Sequence, residues 1–402
     1  MKLKSGPTFW SRAAHDLRAY PSLSKNVTCD IAVVGGGIIG ALVAHELSKQ
    51  GLSIVVLDKG RIGHGSTSAS TALLLYELDV HLVDLVRKLG TRSALRVYQL
   101  SLRAIGRLGR LSRSVGIPSA FRKKRSLYVA LSRKDAGPLR AEYALRRRHK
   151  FRVRFLEPGE LRASFGIRAF GAIVSEDAGE VDPYRLTRVL VRDARRCGAR
   201  VFERTRVTSI FPGVGGSVLE TAGGVVRAEH VVVATGYESQ QFMSRKIVSL
   251  KSSYVIVSQR VPNLSKHWLH THLFWETRRP YLYARTTSDQ RIVVGGLDED
   301  VVDDKQRDAL IPAKARLLRK MFLRLVPDVP FEIAYAWAGT FGETKDGMGY
   351  VGTPSDRTGA YFALGFGGNG ITFGILAADM ITKSILGKRC PDASLFAFDR
   401  AS

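Results

Sequence analysis

The sequence predicts an α/β fold: a Rossmann-like dinucleotide-binding domain beside a second, mixed-sheet (α+β) domain, both discontinuous in sequence. Three observations predict it. The apolar run Cys29 to Val34 leads through a glycine-rich turn into a helical pattern, Ile38 to Gln50, and a second apolar run that ends at Asp58. A β-α-β unit of that length pairs parallel strands through a right-handed crossover. Strand patterns then gather in the middle of the chain, and a strand and helix return near its end, at Ala360–Leu364 and Ile371–Leu386. Finally, 402 residues that are 45% apolar can bury two cores without disulfides or a metal.

The elements follow from their periodicity. Residues 1–27 read as an extended lead-in. From Asp79 to about Val115 the pattern is helical and basic; Ser126 to Leu131 reads as a strand and Lys134 to Lys150 as a helix. Leu186 to Cys197 is helical and stopped by Gly198. Strands are expected at Arg200–Phe211, Val218–Thr221 and His230–Ala234, then at 247–260, 281–285 and 291–297. A helix over Lys305–Val326 precedes strands at Glu332–Phe341 and Val351–Gly352. This order assigns 1–86, 158–246 and 330–402 to the nucleotide domain, and 87–157 and 247–329 to the other.

Composition excludes collagen-like, disordered and small disulfide-rich classes. No run of 18 apolar residues exists, so no transmembrane segment is expected. MKLKSGPTFW has no apolar core for a secretory signal. Cys29, Cys197 and Cys390 are odd in number and widely spaced, which fits a reducing compartment, the cytoplasm, and gives no metal-ligand pattern. The net charge is +26, and residues 87–154 hold 21 Lys and Arg against only Asp135 and Glu142, a local excess of +19. Such a block attracts anions and could dock RNA. Few aromatics interleave it, so a solvated basic face is the favoured reading and a nucleic-acid partner the unlikely one.

The chemistry begins at Gly35-x-Gly37-x-x-Gly40, between strand and helix. Gly35 permits the tight turn, Gly37 lets a pyrophosphate approach the backbone, and Gly40 lets the helix pack on the sheet. Ile38 and Ile39 open that helix, whose N-terminus offers free N–H groups to phosphate. Asp58, 18 residues beyond Gly40, would accept hydrogen bonds from adenosine ribose hydroxyls. Lys59 then starts a loop rich in Gly, Ser and Thr that reaches Ala72. A second glycine-rich helix start, Gly365 to Ile371, is hard to explain with a single nicotinamide nucleotide.

GGGIIG at 35–40, the loop 63–72, VVVATG at 231–236, WAGTFGETKDGMGYVG at 337–352 and GFGGNGITFG at 365–374 together resemble the D-amino acid oxidase superfamily of FAD enzymes. The likeness is to its glycine oxidase, sarcosine oxidase and gamma-glutamylputrescine oxidase-like branch. The resemblance implies that Ser66, Thr67 and Ser68 contact the FAD pyrophosphate and bracket the flavin. It implies that Val207 meets adenine through its backbone, and that Ala234, Thr235, Gly236 and Gly339 pass beside the cofactor. Gly367, Gly368, Asn369, Gly370 and Ile371 would lie at the pyrimidine edge. With no cysteine between Cys197 and Cys390, the FAD should be non-covalent.

For the substrate, the resemblance matches Tyr281 to a substrate-contacting tyrosine and Lys251 to a lysine that helps activate O2. Period 2 puts Tyr281, Tyr283 and Arg285 on one strand face, so Arg285 could bind a carboxylate or phosphate. Phe341 stands where amino-acid oxidases of this type carry an arginine for the substrate carboxylate, which disfavours small amino acids. Asp346 could order a turn or act on the substrate. The implied reaction is oxidation of a C–N bond in an amine or amino-acid derivative to an imine, with O2 or another electron acceptor. The alternatives are dehydrogenation of an anionic 2-hydroxy acid or glycerol phosphate, or a flavin domain that docks RNA.

Overall fold

The computed structural model describes residues 2–13, 19–117, 120–243, 246–355 and 359–400. The first half runs α1 (Phe9–Ala13), β1 (Val27–Val34), α2 (Ile38–Ser48), β2 (Ile54–Leu57), α3 (Ser66–Ala69), β3 (Leu73–Leu74), α4 (Leu82–Ser114), β4 (Phe121–Val129), α5 (Arg133–Arg148), β5 (Val153–Leu156), α6 (Pro158–Phe165), β6 (Ala172–Val181) and α7 (Pro183–Arg196). The second half continues with β7 (Arg200–Phe202), β8 (Val207–Gly213), β9 (Gly216–Thr221), β10 (Gly224–Val233), β11 (Ser249–Ser258), β12 (His272–Glu276), β13 (Leu282–Thr286), β14 (Ile292–Glu299), α8 (Asp304–Ala309), α9 (Ile311–Leu325), β15 (Ile333–Glu343), β16 (Tyr350–Gly352), β17 (Ala360–Leu364) and α10 (Gly370–Ile385).

One sheet has the order β16-β17-β10-β1-β2-β7, with β9 and β8 added beside β10. The neighbours from β17 to β7 are parallel. Parallel strands are covered on both faces, which is why Ile31 to Val34 is a continuous apolar run. Ile31 and Val33 face α2 and its partners, α7 and α10, in one core. Ala32 and Val34 belong to the core on the opposite face. Close approach of α10 to α2 needs Gly374, where a side chain would press on Ile39 and Leu42.

The second sheet has the order β15-β11-β14-β13-β12-β4-β6-β3, with β5 also on β6. Its faces separate by period 2. On β11, Tyr254 and Ile256 join Leu318 and Phe322 of α9 in one core, while Ser253 and Val255 line a cavity on the other face.

Several elements differ from their sequence patterns. The lead-in contains α1, and Lys4 bridges to Gly339 of β15. The strand β6 has no continuous apolar run because Glu176 and Asp177 interrupt AIVSEDAGEV; β12 is only five residues long. Lys305–Val326 divides into α8 and α9, with Pro312 in the first turn of α9. The helical pattern from Asp79 breaks at Gly90, whose φ is +77°. The second sheet also takes β3, β6 and β15 from segments 1–86, 158–246 and 330–402, so the expected segment bounds do not coincide with the sheets.

Candidate active site

A cavity of about 550 Å³ lies between the carboxyl ends of the first sheet's strands and the open face of the second sheet. Val34, Leu57, Ala234 and Leu364 mark those strand ends, the crevice where open α/β sheets receive ligands. The turn after β1 is built by contacts that exclude side chains. A Cβ on Gly35 (φ +108°) would stand 2.4 Å from the Ala234 carbonyl oxygen, and one on Gly40 would stand 1.9 Å from that of Gly35. Gly37, Ile38 and Ile39 line the cavity, and Thr67 Oγ1 accepts a hydrogen bond from the Ile38 N–H at 2.9 Å.

Asp58 accepts from the Gly36 and Gly60 N–H groups, both at 2.7 Å. Burial raises its carboxyl, against those two donors. Lys59 lines the cavity and pairs with Glu238. Ser66 and Thr67 also line it, and the Ser66 Oγ is buried without a hydrogen-bond partner. Ser68 turns away and donates to the His64 and Gly65 carbonyls, inside its own helical turn. Val207, Thr235, Gly236 and Gly339 complete this part of the wall.

Gly367, Gly368, Gly370 and Ile371 line the same cavity. Asn369 instead donates to the Leu75 and Glu77 carbonyls at 3.2 and 2.9 Å, which ties the loop to the chain beyond β3. Tyr281, Tyr283 and Phe341 form the wall from the second sheet, with Ser253, Val255 and Asp298. Burial raises both tyrosine hydroxyls well above their ordinary range.

Ser68 and Asn369, expected at the cofactor, are thus outside the lining, and two further expectations require correction. Arg285 does not reach the cavity. Its Nη1 donates to the carbonyls of Thr71, Ala72 and Val181, at 3.1, 2.8 and 2.9 Å, and Glu180 lies 3.4 Å from its Nε. Period 2 gave the right face, but the side chain lies beneath the loop that follows α3, where carbonyls consume its donors. Lys251 stands across from Phe341, yet its ammonium pairs with Glu343 at 3.0 Å, outside the cavity lining. Asp346 orders a turn, accepting from the Met348 N–H and from Arg400.

Some lining residues had no signal in the sequence. Lys2, Leu3 and Lys4 reach the cavity because the N-terminal segment runs along β15, with Ser5 N–H on Ala338 O and Thr340 N–H on Leu3 O. Asp298 ends an unremarkable apolar strand, and only its depth in the fold sets it apart. Burial pushes its carboxyl up to about 6. Among the described residues, no group of His, Cys, Asp or Glu is arranged to hold a metal.

Residues 30–384 match the family model described as DAO, FAD dependent oxidoreductase. The chain belongs to that family. It is therefore an FAD-dependent oxidoreductase. Glycine oxidase from Geobacillus kaustophilus is 29% identical over 370 residues, spanning 88% of this chain and 93% of the relative. Gamma-glutamylputrescine oxidoreductase from Escherichia coli is 24% identical over 396 residues, spanning 94% and 89%. The crystal structure of the Geobacillus kaustophilus glycine oxidase covers 93% of this chain and 99% of its own, with a TM-score of 0.79 and 24% identity, and shares its fold.

The residues present fit the family's cofactor. Gly37 lines the cavity at the start of α2, and without a side chain it leaves room for a pyrophosphate at the helix N-terminus. Ser66 lines the same cavity and its buried Oγ has no hydrogen-bond partner among the described residues, which fits a group that a bound cofactor would satisfy. No cysteine lines the cavity, and the FAD is held non-covalently.

Proposed function

We propose that this enzyme oxidises the C–N bond of an amine or amino-acid derivative to an imine, which water then hydrolyses. Two electrons pass on to O2 or another acceptor. The relatives named for glycine and gamma-glutamylputrescine support this substrate class. The observation that carries it is the cavity wall from the second sheet: Ser253, Val255, Tyr281, Tyr283, Asp298 and Phe341, with no Lys or Arg from that sheet.

In this reading the first sheet is the cofactor side and the second sheet the substrate side. Gly35, Gly37 and Ser66 would hold the pyrophosphate, Asp58 the adenosine ribose, Val207 the adenine, and Gly367 to Ile371 the pyrimidine edge of the flavin. Bound FAD supplies the acceptor for a hydride from the carbon next to nitrogen. The chain's own residues orient the amine and exclude water. Tyr281 and Tyr283 stay protonated and donate hydrogen bonds, because burial opposes their ionisation. Val255 and Phe341 supply an apolar wall, and holding the reacting carbon in register is most of what such a site must contribute.

The strands of the second sheet offer an anionic 2-hydroxy acid or glycerol phosphate no counter-ion, although Lys2 and Lys4 line the cavity from the segment along β15; the amine reading is preferred on that wall and on the substrates named for the relatives. Anaerobic addition of primary and secondary amines, amino acids and 2-hydroxy acids to the holoenzyme tests it. Amines should bleach the visible flavin band; bleaching by hydroxy acids alone would overturn the reading. Phe341→Arg should tighten glycine and sarcosine, as substrates or inhibitors, by about tenfold, since a charge-assisted contact is worth about 1.5–3 kcal/mol.

A further inference from the structure

Asp298, half-buried at the cavity, stands out among the acids of the interior because no ion pair meets it among the described residues. The others have partners. Glu77 and Glu142 meet Arg146; Glu180 meets Arg122, Lys124 and Arg285; Glu276 meets Arg278. Asp79 takes the Gly368 N–H and the Tyr281 hydroxyl. Asp298 lines the cavity with no ion pair among the described residues, and its Oδ1 is buried without a hydrogen-bond partner. The Ser253 hydroxyl hydrogen-bonds to it and lies 3.3 Å from the Tyr283 oxygen. The chain has 62 Lys and Arg and a net charge of +26, yet the two cations whose charge reaches Asp298 are engaged elsewhere: Arg279 lies over the Tyr281 ring and donates to the Asp79 carbonyl, and Lys251 pairs with Glu343. A buried carboxylate without a partner is costly, and the cost is relieved when a ligand brings the missing cation.

We propose that Asp298 receives a cationic group of the substrate, so that the preferred amines carry a second positive charge where an amino acid would carry its carboxylate. The inference rests on the amine-oxidation reading and narrows its substrate class to diamines, polyamines and amines with a distal guanidinium. Two arguments fix the sign and the position. A substrate carboxylate at this end of the cavity would face Asp298 and find Phe341 in place of a cation. The nitrogen whose neighbouring carbon gives up the hydride must be neutral, whereas a carboxylate in contact would hold it as ammonium. The cation on Asp298 is therefore a second one, separated from the reacting carbon by an apolar stem that Phe341 and Val255 can cover.

The groups facing Asp298 set its titration. Burial raises it to about 6; Asp79 and Glu343 add to the rise, and Ser253 and Arg279 oppose it. Tyr281 and Tyr283 stay neutral, and Lys251 is paired with Glu343. Cation binding should therefore be weak below pH 6 and strong above it.

The test uses the holoenzyme and propyltrimethylammonium, which has a permanent charge and no nitrogen lone pair to be oxidised. Binding is read from the shift of the visible flavin spectrum, with butanoate as the anionic counterpart. The wild type should bind the cation about tenfold more tightly at pH 7 than at pH 5, as a carboxyl near 6 ionises. Asp298→Asn should weaken the cation about tenfold or more at pH 7, remove its pH dependence and improve butanoate; Asp298→Glu should retain cation binding. Cation affinity that is flat with pH in the wild type, or unchanged in a flavin-loaded Asp298→Asn, overturns the proposal. The wild-type titration needs no variant to fold. Cation binding as expected, with no amine bleaching the flavin, would sink the amine-oxidation reading and leave the cation site standing.

Discussion

At the scale of single residues, what a side chain lacks says as much as what it touches. The Ser66 hydroxyl is buried and has no hydrogen-bond partner among the described residues. Ser66→Ala should leave the stability of the apoprotein unchanged or slightly raised, because no internal hydrogen bond is lost. FAD affinity should fall about fivefold, the worth of one net hydrogen bond of about 1 kcal/mol. Thermal unfolding of the apoprotein and fluorescence titration with FAD measure the two quantities, and an unchanged FAD affinity would remove Ser66 from the cofactor's contacts. The roles of Gly35 and Gly40 were legible in the sequence because their reason is local: each packs against backbone within one β-α-β unit or beside it. Arg285 and Asp298 were not legible. Strand periodicity says which face a residue takes, but not whether a carbonyl-rich loop lies over it or a cavity opens beside it.

At the scale of elements, charges of the basic block hold the fold together. Glu142 of α5 accepts from the Leu82 and Val83 N–H groups at 2.9 and 3.0 Å, and so caps α4 from outside. Arg146, one turn on, donates to Glu142 at 2.7 Å, and both side chains are fully buried. Burial by itself would raise the Glu142 carboxyl, but Arg146, His81 and the two backbone donors outweigh it and hold it below its ordinary 4.5. A depressed folded value stabilises the protein above the unfolded value, and that contribution is lost as the pH falls through the folded one. Glu142→Gln should therefore cost about 3 kcal/mol at pH 7, since it leaves Arg146 with Glu77 as its remaining carboxylate and weakens the cap. The difference from wild type should close below pH 4.5; denaturant unfolding at both pH values measures it, and a gap that persists in acid would mean the charge is not its source. The sequence showed two basic helical patterns here, but not that one acid at the far end of the block caps the helix at its start. Such contacts join residues 60 apart, beyond the reach of any local pattern. The strand β6 was lost for a related reason: Glu176 and Asp177 break its apolar run, and both are partly exposed, where Arg125 and Arg152 meet them.

At the scale of the whole molecule, the sign and size of the charge were plain from composition, but its distribution was not. Cations of residues 87–154 reach acids supplied by other segments: Arg96 to Asp392, Arg107 to Glu46 and Asp379, Arg122 to Glu180, Arg152 to Asp177 and Arg154 to Glu160. Part of the local +19 therefore ties the block to the rest of the chain. The net +26 remains as a diffuse field, and a diffuse field attracts polyanions without specificity. Structureless RNA should bind weakly at low salt, with a log–log slope of about −0.7 per neutralised phosphate. That binding should vanish near physiological ionic strength, and saturating RNA should leave flavin reduction by substrate unaltered. Filter binding across a salt series, with stopped-flow reduction in parallel, measures both. Tight RNA binding at physiological salt would require a shaped site in the block, where cations are presented together and are not spent on the protein's own carboxylates.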